Sequence, residues 1–412
     1  MRSDYLLWRP RQRKTICLFV LTLCLCLLFM AGSWSKLWDE HLHYLYPSYG
    51  DFFPLWSYAK IASTQTVTDL YDFNLIHTHQ VALGMNPSLT NPFPYTPVSL
   101  LVLWPLDKLP YELSYVVWMT STLGLFIWSV FATCSRSRLW WLVILIAPAV
   151  EYNIAIGQSG FLIAALMIAG IRLADDRPGL SGILTGILLA FKPQIALLIP
   201  VAYLARRNWT ALGVSSATIL AASVVSTVLF GWDVWPAWIA QLPTYSAWFD
   251  IQMGLHADIM PTVTANLRML GLSSHVAQVI QLIAAAIVTK AIYNCFRQGP
   301  SRLTDAALLI GTFLATPHAV IYDTPMVVAA LILFVEWCWQ QAPGLRTTDI
   351  VCVVSVFLLS IGMVFSIPIS SLVLMLMFCR ILWLMNGLTT TRFVVISTSK
   401  RKALICNALS TP

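Results

Sequence analysis

Apolar runs recur from Ile16 almost to the C-terminus, each broken by a few polar residues and then resumed. Long apolar runs repeated along a chain are those of membrane-spanning helices. The pattern predicts an all-α polytopic membrane protein with about twelve transmembrane helices and both termini on one side. Two polar breaks are long, residues 35–96 and 231–273. The proline-bounded run 97–109 is too short to span ~30 Å as a helix and is predicted to be re-entrant or interfacial. The run 180–204 carries Lys192-Pro193 at its middle, where proline removes a helical hydrogen bond, and it is predicted to be two short helices meeting there. A competing thread lets 97–109 cross and joins 180–204 into one helix.

Lys and Arg in short loops set orientation. The first thread gathers the N-terminal tail, Arg136, Arg138, Arg172, Arg177, Arg206, Arg207, Arg297, Arg302, Arg346 and the C-terminal tail inside. The competing thread puts Arg136, Arg138, Arg172 and Arg177 outside and is the weaker. The expected organisation is a basic cytoplasmic tail over 1–15, one transmembrane domain over 16–388 and a cytoplasmic tail over 389–412. The outer loops are 35–96 and 231–273.

Composition agrees with this picture. The 412 residues are 58% hydrophobic and 10% charged, with mean hydropathy +0.74, where a soluble domain carries about a quarter charged residues. The net charge of +7 is the charge that cytoplasmic loops collect and is no sign of nucleic-acid binding. Basic residues followed by the run 16–30 imitate a secretory signal, but the run is long and lacks a small-residue cleavage site, so it reads as an uncleaved first helix. The nine Cys contain no Cys-x-x-Cys pair, which argues against structural disulfides and thiolate metal sites. His41-x-His43 and His77-x-His79 lack a third fixed ligand. No metal and no cofactor are expected.

The first thread places every unusual polar residue at a helix end on the outer side, and ionisable groups at membrane depth tend to mark function. Asp51, in Tyr49-Gly50-Asp51-Phe52-Phe53-Pro54, is either a general base or a solvated loop carboxylate. Phe52, Phe53 and Trp56 suit an interfacial helix beside it. Tyr95, in the proline-rich entry Pro92-Phe93-Pro94-Tyr95-Thr96-Pro97, is a turn residue or a substrate contact. Asn153 and Gln158, with Glu151, form a helix-end network or offer amides to sugar hydroxyls. Lys192, followed by Pro193-Gln194, meets a phosphate or snorkels to the surface. His318 pairs with a phosphate, donates a proton, or is a hydrogen-bonded helix-end histidine. Tyr322 is a candidate sugar or network contact, and Asp323 caps a helix or orients a neighbour.

These segments in this order resemble glycosyltransferase family 87, the polyprenyl-phosphate-mannose-dependent mannosyltransferases. The likeness spans roughly residues 45–340 and rests on the Asp51 loop, Phe93-Pro94-Tyr95-Thr96-Pro97, Gly157-Gln158-Ser159-Gly160, Gly186 to Gln194, Thr316-Pro317-His318 and Tyr322-Asp323. The resemblance implies a GT-C fold and a polyprenyl-phosphate-linked sugar donor. It implies inverting, metal-independent transfer to a lipid or glycan acceptor, on the extracytoplasmic face of a bacterial inner membrane. It puts the catalytic aspartate in the first outer loop, at Asp51. Where the family has Tyr-Pro-Pro this chain has Tyr95-Thr96-Pro97, which weakens a contact role for Tyr95. In this frame Asp51 is the base, Lys192 and His318 contact phosphate, and Asn153, Gln158, Gln194, Tyr322 and Asp323 complete the substrate-binding set. A transporter or flippase of a lipid-linked sugar is the first alternative, though no internal repeat is visible. A polysaccharide polymerase or ligase is the second, and Arg268 is the one arginine that the second outer loop offers.

Overall fold

The computed structural model describes residues 22, 24–28, 30–32, 51–133, 139–341 and 345–386. The basic N-terminal tail, most of the first helix, His41-x-His43, the Arg136-Arg138 loop and the tail 389–412 lie outside the described residues. Among the described residues every regular element is helical.

Three helices are long and apolar enough to cross a membrane: Tyr111–Ala132, Trp209–Phe230 and Ser274–Arg297. Shorter apolar helices are Gly160–Leu173, Pro178–Phe191, Pro193–Ala205, Pro325–Gln340, Thr347–Phe357 and Ser370–Asn386. The long helices expose their apolar side chains, among them Leu220, Val224 and Val228. A surface of that kind requires lipid beside it. Arg302–Ala315 and Pro325–Gln340 are instead buried along most of their length and form the centre of the bundle.

Between lipid-embedded helices close packing replaces the hydrophobic effect, so small residues matter where helices touch. Pro178–Phe191 illustrates this against Trp209–Phe230. A Cβ on Gly182 would lie 2.7 Å from the Ala211 carbonyl oxygen, and one on Gly186 would lie 2.8 Å from that of Ser215. The spacing Gly182-x-x-x-Gly186 lets the two backbones meet. Thr185 Oγ1 then bridges the seam, 2.8 Å from Ser215 Oγ, and Ser181 Oγ reaches the Tyr203 hydroxyl of Leu198–Ala205 at 2.7 Å. Each such bond contributes about 0.6 kcal/mol in a membrane. The seam holds the helix whose C-terminal end presents Lys192.

Helix ends fall into two sets whose side chains pair among themselves. One set joins Lys192 to Asp323 and Ser366 to Asp258. The other joins Arg206 to Asp175, Trp140 and Arg302 to Glu336, and Arg380 to Asp349. In these pairs the second set holds three arginines, each matched by a carboxylate, and the first set a single lysine. The helix break at Lys192 is present, with Pro178–Phe191 ending and Pro193–Ala196 beginning on either side of it. Residues 97–108 form two short 3-10 turns around the four-residue helix Leu100–Leu103, packed against Phe52–Thr64.

Two expectations change. Phe52, Phe53 and Trp56 do lie on a helix, Phe52–Thr64, but they are buried against protein instead of facing lipid. Phe52 packs between Tyr111 and Tyr115, each ring centroid 5.4 Å away. Residues 231–273, expected to be a loop, contain a 22-residue helix, Val234–Leu255, and the shorter Val263–Met269.

Candidate active site

Asp51 stands at the N-cap position of Phe52–Thr64, yet its carboxylate makes no capping hydrogen bond. Aspartate at an N-cap ordinarily accepts from the amides of the first turn. Here Oδ2 accepts a long hydrogen bond, 3.4 Å, from Gln158 Nε2. Burial raises the Asp51 pKa above the ordinary 3.8, while the Gln158 hydrogen bond and the positive charge of Lys192 pull it down. Burial prevails, so the carboxylate is held at higher free energy than in water.

Gly157 brings Gln158 to this position. It ends the helix Pro148–Ile156 at φ +74°, in the left-handed region where glycine is the favoured residue. A Cβ there would also sit 2.4 Å from Phe52 Cβ. Three residues on, a Cβ on Gly160 would sit 1.7 Å from the Tyr322 carbonyl oxygen. Gly157-Gln158-Ser159-Gly160 is thus clasped between the Asp51 helix on one side and the Tyr322-Asp323 turn on the other. Tyr115 closes the clasp, its hydroxyl donating to the Ile154 carbonyl at 2.6 Å.

Lys192 lies in the break between two helices with its side chain 5% exposed. Its Nζ is 2.7 Å from Asp323 Oδ1 and 4.7 Å from the centre of the Tyr322 ring. A lone buried ammonium costs several kcal/mol, and the carboxylate and ring face together offset that. The other Asp323 oxygen, Oδ2, accepts from the Val320 amide at 3.1 Å and holds the 3-10 turn Ile321–Asp323. Both Asp323 oxygens are therefore engaged, whereas Asp51 bonds only to Gln158 among the described residues.

A cavity of about 250 Å³ opens beside this pair. Tyr95, Lys192, Gln194, His318, Tyr322 and Asp323 all line it. Tyr95 stacks on Phe191 at 5.5 Å and 7°, and Thr96 Oγ1 donates to the Ala190 carbonyl at 2.8 Å. Thr96 has φ −63° and ψ 157°, the backbone proline itself would take, and it adds a donor to a helix-end carbonyl. The departure from Tyr-Pro-Pro therefore preserves the local path of the chain. His318 is exposed, and its ring meets Phe249 edge-on at 4.4 Å. A bound phosphate here would meet one lysine and one histidine on walls otherwise made largely of aromatic rings.

Not every expected residue reaches the cavity. Asp51 and Gln158 lie outside its lining, close enough for Asp51 to feel Lys192. Asn153 is wholly buried behind the clasp, and its amide nitrogen and oxygen have no hydrogen-bond partner. The cavity also holds residues the sequence reading missed: Trp238, Tyr245 and Phe249 from Val234–Leu255. Their spacing of seven and then four residues puts them on one helical face. In a chain with seventeen Trp, that signal is masked by the aromatic residues expected at membrane interfaces. Among the described residues no group of three or more His, Cys, Asp or Glu could hold a metal ion. His79 pairs with Asp69 at 2.9 Å, and His77 donates to the Pro87 carbonyl at 3.1 Å.

Neither the curated proteins nor the solved structures searched contain a match to this chain. Residues 93–317, more than half of it, match the model of one protein family. The match takes in Tyr95, Asn153, Gln158, Lys192 and Gln194, and leaves Asp51, His318, Tyr322 and Asp323 outside. On that match, this helical membrane chain belongs to glycosyltransferase family 87.

Proposed function

We propose that this glycosyltransferase moves a hexose, mannose, from a polyprenyl-phosphate donor to a lipid or glycan acceptor, with inversion and with Asp51 as general base. The observation that carries the reading is that Asp51, held by Gln158 and not capping its own helix, lies within the field of the buried Lys192 that lines the cavity, on a chain of this family. Asp51 takes the proton of an acceptor hydroxyl as its oxygen attacks the anomeric carbon. The bond from that carbon to the phosphate oxygen breaks on the opposite face, and the electron pair leaves with polyprenyl phosphate. Lys192 and His318 stabilise the negative charge that gathers on the departing phosphate. Gln158 orients Asp51, and Asp323 with Tyr322 holds Lys192 in place. Gln194 and Tyr95 contact the sugar or its phosphate, and Asn153 supports the clasp behind them.

We place the Asp51 end on the extracytoplasmic side of a bacterial inner membrane, in a GT-C fold of about twelve crossings with both termini inside. The set of helix ends that holds Arg206, Arg302 and Arg380, against the single Lys192 of the other set, supports this orientation, since lysine and arginine counts set it. The test is transfer of labelled mannose from undecaprenyl-phosphate-mannose by purified protein in detergent. Asp51→Asn should abolish it, and Lys192→Ala should weaken donor binding more than acceptor binding. Unchanged donor affinity in Lys192→Ala would remove its phosphate role.

A further inference from the structure

The helix Val234–Leu255 has a second working face. Trp238, Tyr245 and Phe249 line the cavity beside Lys192, whereas Ala237, Ala240, Gln241 and Thr244 line a separate groove of about 370 Å³. The steps of three, one and three residues between the groove residues define one helical face. The opposite wall is Thr68 to Asn74. Two hydrogen bonds tie the groove to the partition between the cavities. Gln241 Nε2 donates to the Phe93 carbonyl at 3.2 Å, and the Tyr71 hydroxyl donates to the Tyr95 carbonyl at 3.4 Å.

The groove differs from the cavity in charge. It has no lysine, arginine or histidine in its lining. Its one charged group is Asp72, whose Oδ1 accepts from the amides of Asn74 and Leu75 while Oδ2 has no partner among the described residues. The hydroxyls of Thr68 and Thr244, the side-chain amide of Asn74 and Gln241 Oε1 likewise have no hydrogen-bond partner among the described residues. That set combines donors and acceptors around a carboxylate and would repel a phosphate. A neutral polyhydroxylated ring satisfies it, with ring C–H groups against Phe73.

A row of rings links the groove to the cavity. Phe73 meets Trp248 at 6.5 Å, Trp248 meets Tyr245 at 5.7 Å, Tyr245 meets Phe249 at 6.1 Å, and Phe249 meets His318 at 4.4 Å. We infer that this groove is an acceptor subsite that binds a neutral sugar unit beyond the one receiving the hexose. The inference rests on the glycosyl-transfer reading above and narrows its acceptor to a neutral glycan or glycolipid headgroup.

The test uses full-length protein in detergent and saturation-transfer NMR with mannotriose, with trigalacturonate as the anionic comparison. Mannotriose should receive saturation and trigalacturonate should not. Ala240→Trp, at an exposed position, fills the groove and should abolish the mannotriose signal while circular dichroism stays native. Asn74→Ala should weaken it about fivefold. Asp51→Asn should bind mannotriose as the native protein does. The proposal is overturned if native protein gives no mannotriose signal at millimolar sugar, if Ala240→Trp binds as well as native, or if undecaprenyl phosphate displaces the sugar. Failure of the underlying reading looks different: mannotriose still binds in the groove, yet Asp51→Asn still transfers.

Discussion

Gln158 Nε2 donates to Asp51 Oδ2 across 3.4 Å, joining residues that are 107 positions apart in the chain. This contact and the field of Lys192 are what lower the Asp51 pKa against burial, which raises it. The acid limb of the transfer rate is therefore expected above the ordinary carboxylate value of 3.8. Gln158→Leu removes a contact that favours the ionised form, so it should move the limb to still higher pH. A pH–rate profile of both proteins checks this, and an unmoved limb would break the link between Gln158 and the base.

The same shift predicts a stability effect of opposite sign to the loss of activity. The folded-state pKa of Asp51 lies above its unfolded value, so ionising it disfavours the fold. That penalty is absent below the unfolded pKa and grows as pH rises through the folded one. Asp51→Asn should therefore unfold at a higher temperature than native protein at pH ~7, with the difference vanishing near pH ~4. Thermal unfolding at the two pH values measures it.

Lys192 and Asp323 form a buried pair, and removing one partner leaves the other charge stranded. Lys192→Met or Asp323→Leu alone should destabilise by about 3–5 kcal/mol, while the double variant recovers part of the loss, the Val320 amide still lacking its acceptor. The double variant should still bind undecaprenyl phosphate poorly, because no cation remains at that point in the cavity. Equal donor affinity in native and double-variant protein would show that the pair is structural only.

Thr96 occupies a proline-compatible backbone and donates to the end of Pro178–Phe191. Thr96→Val should lose about 0.5–1.5 kcal/mol from that hydrogen bond. Thr96→Pro should lose the same bond but regain part of the stability by restricting the unfolded chain. Unfolding midpoints should rank native first, then Thr96→Pro, then Thr96→Val.

The clasp gives a further test. Gly160→Ala places a Cβ where the Tyr322 carbonyl now lies, and Gly157→Ala adds an unfavourable φ to a clash with Phe52. Both should reduce transfer far more than Gly213→Ala, whose Cβ would meet nothing within 4 Å. Equal activities for the three would show that the clasp does not position Asp51.

The class of protein was legible because membrane helices carry their signal locally, in uninterrupted apolar runs. The break at Lys192-Pro193 was legible for the same reason, since proline acts on its own helix. The Val234–Leu255 helix was not, because its apolar and polar residues are distributed around it and its Trp residues read as interface anchors. The partner of Lys192 was also hidden. Asp323 is 131 residues away, and only the packing of Pro178–Phe191 against its neighbours brings them together. Gly157 and Gly160 were visible as a motif, but their purpose depends on Phe52 and Tyr322, which no spacing connects. The departure at Thr96 looked like a weakness in sequence, and the backbone angles show why the chain tolerates it.

As the proposed base, Asp51 accepts the proton of the acceptor hydroxyl. The most direct measurement is single-turnover transfer of labelled mannose by Asp51→Asn protein loaded with undecaprenyl-phosphate-mannose, beside the native enzyme. Donor binding should stay native while transfer falls at least 10²-fold, the lower bound for losing a general base. Transfer at the native rate in Asp51→Asn would contradict it.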